Sequence, residues 1–129
     1  FAMASAAVTL LLTCCGISCV FPAVTANFAY ELPLGTEFLV PWVNTSFQCQ
    51  DHGMGYFADV DNDCQVFHMC LPQPESQGDD YLQYSFLCSN QTLFNQETLM
   101  CMPADESIPC QDSALLYEKI NSIFGDLLP

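Results

Sequence analysis

The residues with most scope for chemistry in this sequence are its cysteines, nine in 129 residues. Cys14, Cys15 and Cys19 sit in an apolar N-terminal run. The other six, Cys49, Cys64, Cys70, Cys88, Cys101 and Cys110, lie close together, and an even set in a short secreted chain is the arithmetic of a disulfide framework. Thiols committed to bridges leave no nucleophile. His52 and His68 stand at neither C-x-x-C nor H-x3-H spacing, so a zinc site is not expected. Asp59-Val60-Asp61-Asn62-Asp63 alternates carboxylates as a calcium loop does, but its sixth position is Cys64 instead of Gly and its twelfth is Cys70 instead of Glu. It reads as a solvated turn. No Ser-His-Asp or Cys-His arrangement stands out, and the scattered acids offer no preferred pair for glycoside hydrolysis. The expected protein is not an enzyme and needs no cofactor or metal.

The segments that must position these residues follow from composition. Residues 4–21, ASAAVTLLLTCCGISCVF, carry no charge and lead to the small-x-small site Val24-Thr25-Ala26. Residues 1–26 therefore read as a signal peptide, with a retained membrane anchor as the alternative. The formal charge of −14 falls on the remaining residues, where Lys119 is the only base. Such a polyanion repels nucleic acid and anionic membranes, and leaves neutral or cationic partners open. Residues 27–46 read as an extended arm broken by Pro33, Gly35 and Pro41. Asn44-Thr45-Ser46 and Asn90-Gln91-Thr92 are glycosylation sequons, so Asn44 and Asn90 are expected on the surface. Between Cys49 and Cys110, short aromatic and β-branched runs alternate with turn-rich stretches at Asp59–Asp63, Pro72–Asp80 and Ser89–Thr92. This predicts a small disulfide-rich β fold of short antiparallel strands and hairpins stapled by three disulfides. Residues 112–129 read as a helix and tail. Asp112 or Ser113 is the cap, Leu116, Ile120, Ile123 and Phe124 form the apolar side, and Gly125 is the stop.

The spacing C-x14-C-x5-C-x17-C-x12-C-x8-C resembles the type-2 chitin-binding, or peritrophin-A, family, and within it the single-domain cuticular proteins of arthropods. Gly55-Tyr56-Phe57-Ala58-Asp59 resembles the family's Gly-Tyr-Tyr-x-Asp stretch, and Cys64-Gln65-Val66-Phe67-His68-Met69-Cys70 its aromatic segment between the second and third cysteines. Phe86-Leu87-Cys88 through Phe94-Asn95 resembles its Phe-x-Cys-x-x-Gly-x-x-Phe-Asn segment, with Gln91 where the family often has Gly. The resemblance covers residues 47–111. It implies the pairing Cys49–Cys70, Cys64–Cys110 and Cys88–Cys101.

The resemblance also implies a ligand, chitin, a neutral polymer of N-acetylglucosamine. Its binding calls for flat aromatic faces against C–H surfaces and a few polar groups at the edges. The candidates are Tyr56, Phe57, Tyr84, Phe86 and Phe94, with Asn95 as polar partner. Core roles compete for the same rings, above all for Phe67. Asp59, Asp61, Asp63, Asp79 and Asp80 are candidates to meet exposed amines on partly deacetylated polymer. The expected function is extracellular, non-catalytic chitin binding in cuticle or a related matrix, with no membrane contact once the leader is removed. The alternative is a protein–protein module on the same scaffold, contacting other matrix proteins.

Overall fold

The computed structural model of the protein describes residues 28–75, 78 and 80–127. The expected signal peptide and Asp79 lie outside them. Strands β1 (Gly55–Ala58), β2 (Val66–Pro72) and β3 (Tyr81–Leu87) form an antiparallel sheet in that order, and β4 (Thr92–Asn95) pairs with β5 (Met100–Pro103) as a separate hairpin. Helix α1 (Thr36–Leu39) is a single turn in the arm, and α2 (Ser113–Leu127) follows the last cysteine. The fold is thus the small disulfide-rich β fold with a C-terminal helix that the sequence predicts. The bridges are Cys49–Cys70, Cys64–Cys110 and Cys88–Cys101, the pairing that the resemblance implies. Among the described residues, no helix is long and apolar enough to cross a membrane.

Strand alternation divides the sheet into two faces. Phe57, His68 and Ser85 stand in one cross-strand row, and Ala58, Phe67 and Phe86 in the next. The first face carries a cluster of Phe47, Cys49, Phe57 and Cys70, closed by Tyr30 of the arm, Tyr81 and Tyr117 of α2. The second carries Ala58, Cys64, Cys88 and Phe94, with Tyr56, Phe67, Leu93 and Leu99 packed around them. A chain this small buries too little apolar surface to hold itself on packing alone. The bridges tie the parts: Cys49–Cys70 fixes the arm to β2, Cys64–Cys110 fixes the entry of α2 to the β1–β2 connection, and Cys88–Cys101 clamps the end of β3 to β5.

Three elements differ from the sequence reading. The arm is not uniformly extended, because a 3-10 turn at Phe28–Tyr30 and helix α1 fit between its prolines. Helix α2 does not stop at Gly125 but runs to Leu127, and it grows directly out of a 3-10 turn at Cys110–Asp112. Its docked face also reaches beyond the predicted apolar one, of which Leu116, Ile120 and Phe124 are half-buried. Ile123 is 52% exposed, while Ser113 and Asn121 are buried and Tyr117 lies between them at four-residue spacing. The helix docks through polar groups because its neighbour is an open strand edge. Tyr117 Oη donates to Ala58 O. Asn121 Nδ2 donates to Tyr56 O at 2.9 Å, and Asn121 Oδ1 accepts Tyr56 N–H at 2.9 Å.

Candidate functional site

The second face of the sheet is only partly covered. The β4–β5 hairpin lays Phe94 on Phe67, with ring centroids 4.2 Å apart and planes within 11°, and Phe67 stacks on Phe86 at 5.1 Å and 22°. The three rings form a column that is buried at Phe94 and open at Phe86, which is 39% exposed. Leu82, Tyr84 and Phe86 alternate along β3 and project to this side. Tyr84 stands opposite Met69, which stands opposite Tyr56. The result is a flat apolar strip of Phe86, Tyr84 and Leu82. Beside its lower end lies a cavity of about 200 Å³, lined by Met54, Tyr56, Met69, Leu71 and Phe124. Tyr56 is half-buried, its ring tilted against Phe124 at 5.8 Å. The strip carries no formal charge, so what it can do chemically is present aromatic faces, the Tyr84 hydroxyl and a small apolar recess.

The structure brings Tyr56, Tyr84 and Phe86 to one surface and withdraws the other sequence candidates. Phe57 is 1% exposed, because alternation sends it to the opposite face from Tyr56. Phe94 is 2% exposed, at the base of the column. Asn95 is 2% exposed, and its Oδ1 accepts the Glu97 N–H at 3.1 Å, holding the β4–β5 turn. These three present nothing to a ligand in this structure. Leu82, Met69 and Phe124, which enter the surface, were not among the candidates. The alternation of Tyr81–Leu87 is the signal that could have placed Leu82 beside Tyr84 and Phe86.

Asp59 also moves from surface to interior. It is 2% exposed, and its Oδ2 lies 2.7 Å from His68 Nε2 and 2.8 Å from Asn62 Nδ2. His68 Nδ1 lies 2.7 Å from Ser85 Oγ, whose hydroxyl donates to Ala29 O. The turn is therefore not simply solvated, and a Ser-His-Asp constellation that the sequence did not reveal is assembled by cross-strand pairing. Its chemistry is structural. Ser85 Oγ donates to Ala29 O and also meets the His68 ring at Nδ1. The other ring nitrogen, Nε2, meets the Asp59 carboxylate. All three side chains are buried. The network pins the arm to the sheet beneath Phe47, whose ring stacks on His68 at 4.3 Å and on His52 at 4.8 Å.

Titratable groups around this packing respond to it. Burial, helped by the negative charge of Asp59, pushes Tyr30 up to about 12 and raises Tyr117 further. His52 is lowered, chiefly by desolvation against its ring neighbours, with Asp51 opposing and His68 adding to the shift. Among the described residues, no group of His, Cys, Asp and Glu is arranged to hold a metal ion.

Residues 49–110 match the family described as the chitin binding Peritrophin-A domain. The segment that carries the three bridges and both sheets is thus a member of that carbohydrate-binding, non-catalytic family. Among relatives, the chain is similar to U-scoloptoxin(01)-Er1a of Ethmostigmus rubripes, 35% identical over 78 residues that make up 60% of this chain and 58% of the relative. It is also similar to U-scoloptoxin(01)-Cw1a of Cormocephalus westwoodi, 37% identical over 70 residues, 54% of this chain and 51% of the relative. The chain therefore spans little more than half the length of these relatives. No solved structure gives a significant match.

Proposed function

We propose that the protein is an extracellular chitin-binding module that holds the polymer on the Phe86–Tyr84–Leu82 strip. The observation that carries this reading is the stacked column Phe94–Phe67–Phe86, which anchors an open ring on a rigid, buried base. A platform fixed in this way loses little side-chain entropy on binding. Residues two apart on a strand repeat at about 6.8 Å, a step comparable to the length of a pyranose unit, so Tyr84 and Phe86 serve neighbouring sugars. The apolar recess between Tyr56, Met69, Leu71 and Phe124 is of a size and chemistry to take an acetamido methyl group, the feature that separates chitin from cellulose. The family membership, the three bridges and the toxin names of the relatives support an extracellular setting. Within that setting we place the protein in cuticle or a related chitinous matrix.

The test is depletion of the protein from solution onto insoluble chitin, with cellulose as control. Tyr84→Ala and Phe86→Ala should each weaken binding to chitin by about tenfold, the loss of one stacking contact of roughly 1.4 kcal/mol. Met69→Trp, which fills the recess, should abolish the preference for chitin over cellulose. Undiminished binding by both alanine variants would remove the strip from the mechanism. Absence of binding to chitin by the parent would return the scaffold to a protein–protein role.

A further inference from the structure

We propose that Asn44 carries an N-linked glycan and that the first N-acetylglucosamine of that glycan stacks on Trp42. This inference rests on the extracellular route proposed above and is independent of the sugar-binding strip. Two observations meet at this point. Trp42 is the only tryptophan of the chain and is 91% exposed on the arm. Two residues later stands an exposed asparagine in the sequon Asn44-Thr45-Ser46.

The fold fixes the sequon and leaves its amide nitrogen open to carry a sugar. Asn44 N–H donates to Asn62 Oδ1 at 2.7 Å, and Asn44 O accepts from Asn62 Nδ2 at 2.8 Å. Asn44 Oδ1 accepts the Ser46 N–H at 2.9 Å, and Ser46 Oγ donates to Asp61 at 2.7 Å. Backbone, side-chain oxygen and hydroxyl are all engaged, whereas Asn44 Nδ2, the atom that takes a glycan, has no partner among the described residues. Residues 43–48 form neither helix nor turn. Trp42 ends the bend before this stretch, and two residues of chain span at most about 7 Å, so its Cα lies no farther than that from the Cα of Asn44. The exposed indole is thus within reach of a sugar joined to Nδ2, and its face suits the axial C–H groups of N-acetylglucosamine.

The transfer balances simply. A C1–N bond forms to Nδ2, which loses one proton. The bond from C1 to a lipid-linked pyrophosphate donor breaks, and the pyrophosphate leaves with the electron pair. Asn90 serves as an internal comparison. Its sequon lies in a tight turn in which Thr92 Oγ1 donates to Ser89 O at 2.7 Å, and the residue two before it is the bridged Cys88.

The experiment expresses residues 1–129 in an insect-cell secretory host, and in parallel behind a foreign leader. Glycopeptide mapping should find Asn44 occupied. Thermal unfolding is then compared for the intact protein, a form trimmed enzymatically to the first N-acetylglucosamine, and a form fully released. Release leaves Asp at position 44, which keeps an oxygen for the Ser46 N–H. Intact and trimmed forms should melt together, and full release should lower Tm by about 4 °C. In Trp42→Ala, an exposed substitution that leaves the core untouched, all three forms should melt together. An unoccupied Asn44 on protein exported by the foreign leader overturns the proposal, as does an equal fall in Tm on release in Trp42→Ala. Export only behind the foreign leader, with Asn44 occupied and the Tm effect dependent on Trp42, upholds it while overturning the signal reading of residues 1–26.

Discussion

Side-chain carboxamides do in this protein what additional backbone does in larger ones. Asn62 joins the arm to the turn after β1 by two hydrogen bonds to the backbone of Asn44. Gln83 reaches across to Cys49 N–H and Phe47 O. Gln96, fully buried, accepts from Ala58 N–H at 2.7 Å and donates to Tyr56 O at 2.8 Å. Each amide has both a donor and an acceptor and can mimic a peptide group. Among the described residues, no buried polar side-chain atom is left without a partner. At the same scale, Gln91 occupies the left-handed region at φ 63°, at the position where the family often has Gly. A side chain there costs roughly 1–2 kcal/mol, partly offset by the larger unfolded-state entropy of glycine. Gln91→Gly should therefore raise unfolding stability by about 0.5–1 kcal/mol in urea. A loss of stability would mean that the Gln91 side chain makes a favourable contribution that outweighs its backbone strain.

At the scale of elements, the exposed edge of β1 explains why the C-terminal helix sits where it does. An edge strand presents unpaired N–H and C=O groups that invite another chain. Here Tyr117, Asn121 and Gln96 satisfy those of Tyr56 and Ala58 from two different elements. Gly55 makes the close approach possible. Its φ is +145°, and a Cβ there would fall 2.2 Å from Asn121 Oδ1. Asn121→Ala removes both contacts to Tyr56 and should cost about 1–3 kcal/mol in urea unfolding, the range for leaving buried backbone groups unpaired. Asn121→Asp keeps the acceptor for Tyr56 N–H but turns a buried carboxylate oxygen toward Tyr56 O and Tyr117 O, and should be at least as damaging. If alanine and aspartate prove equally mild, within 0.5 kcal/mol of the parent by the scale of neutral surface changes, the helix is held by Cys64–Cys110 and its rings alone. The existence of this helix was legible in the sequence from its periodicity. Its docked side was legible only in part: Leu116, Ile120 and Phe124 are half-buried, but periodicity does not report Tyr117 and Asn121, which meet a surface that asks for hydrogen bonds. The strands and hairpins were legible for the complementary reason: alternation and turn residues are local signals.

Over the whole molecule, charge and the proposed binding strip separate. The formal charge is −14 with a single base, yet the Phe86–Tyr84–Leu82 strip carries no formal charge. Binding to fully acetylated chitin should therefore hold steady across a salt series, since no ionic contact is broken. Partly deacetylated chitin at mildly acidic pH should bind more tightly only at low salt, because exposed pairs contribute about 0–1 kcal/mol each and are screened. Asp59 drops out of that acidic set, being buried on His68. Asp61, Asp63 and Asp80 remain exposed. Depletion measured on both solids checks this, and binding to acetylated chitin that vanishes with added salt would sink the stacking mechanism.

Cysteine number and spacing, alternation within the strands and the aromatic segments between bridges were sufficient by themselves to identify a stapled β domain and its family. These are properties of short stretches, and in a chain this small the bridges stand in for a large core. What only the tertiary structure decided is which ring faces solvent. Tyr56 and Phe57 are neighbours of like chemistry, but one-residue alternation sends one to the open face and the other into the cluster around Phe47. Asp59, His68 and Ser85 are unremarkable apart, and the cross-strand register makes them one buried network. Burial and register depend on contacts between distant segments, and no single stretch of sequence contains both partners of such a contact.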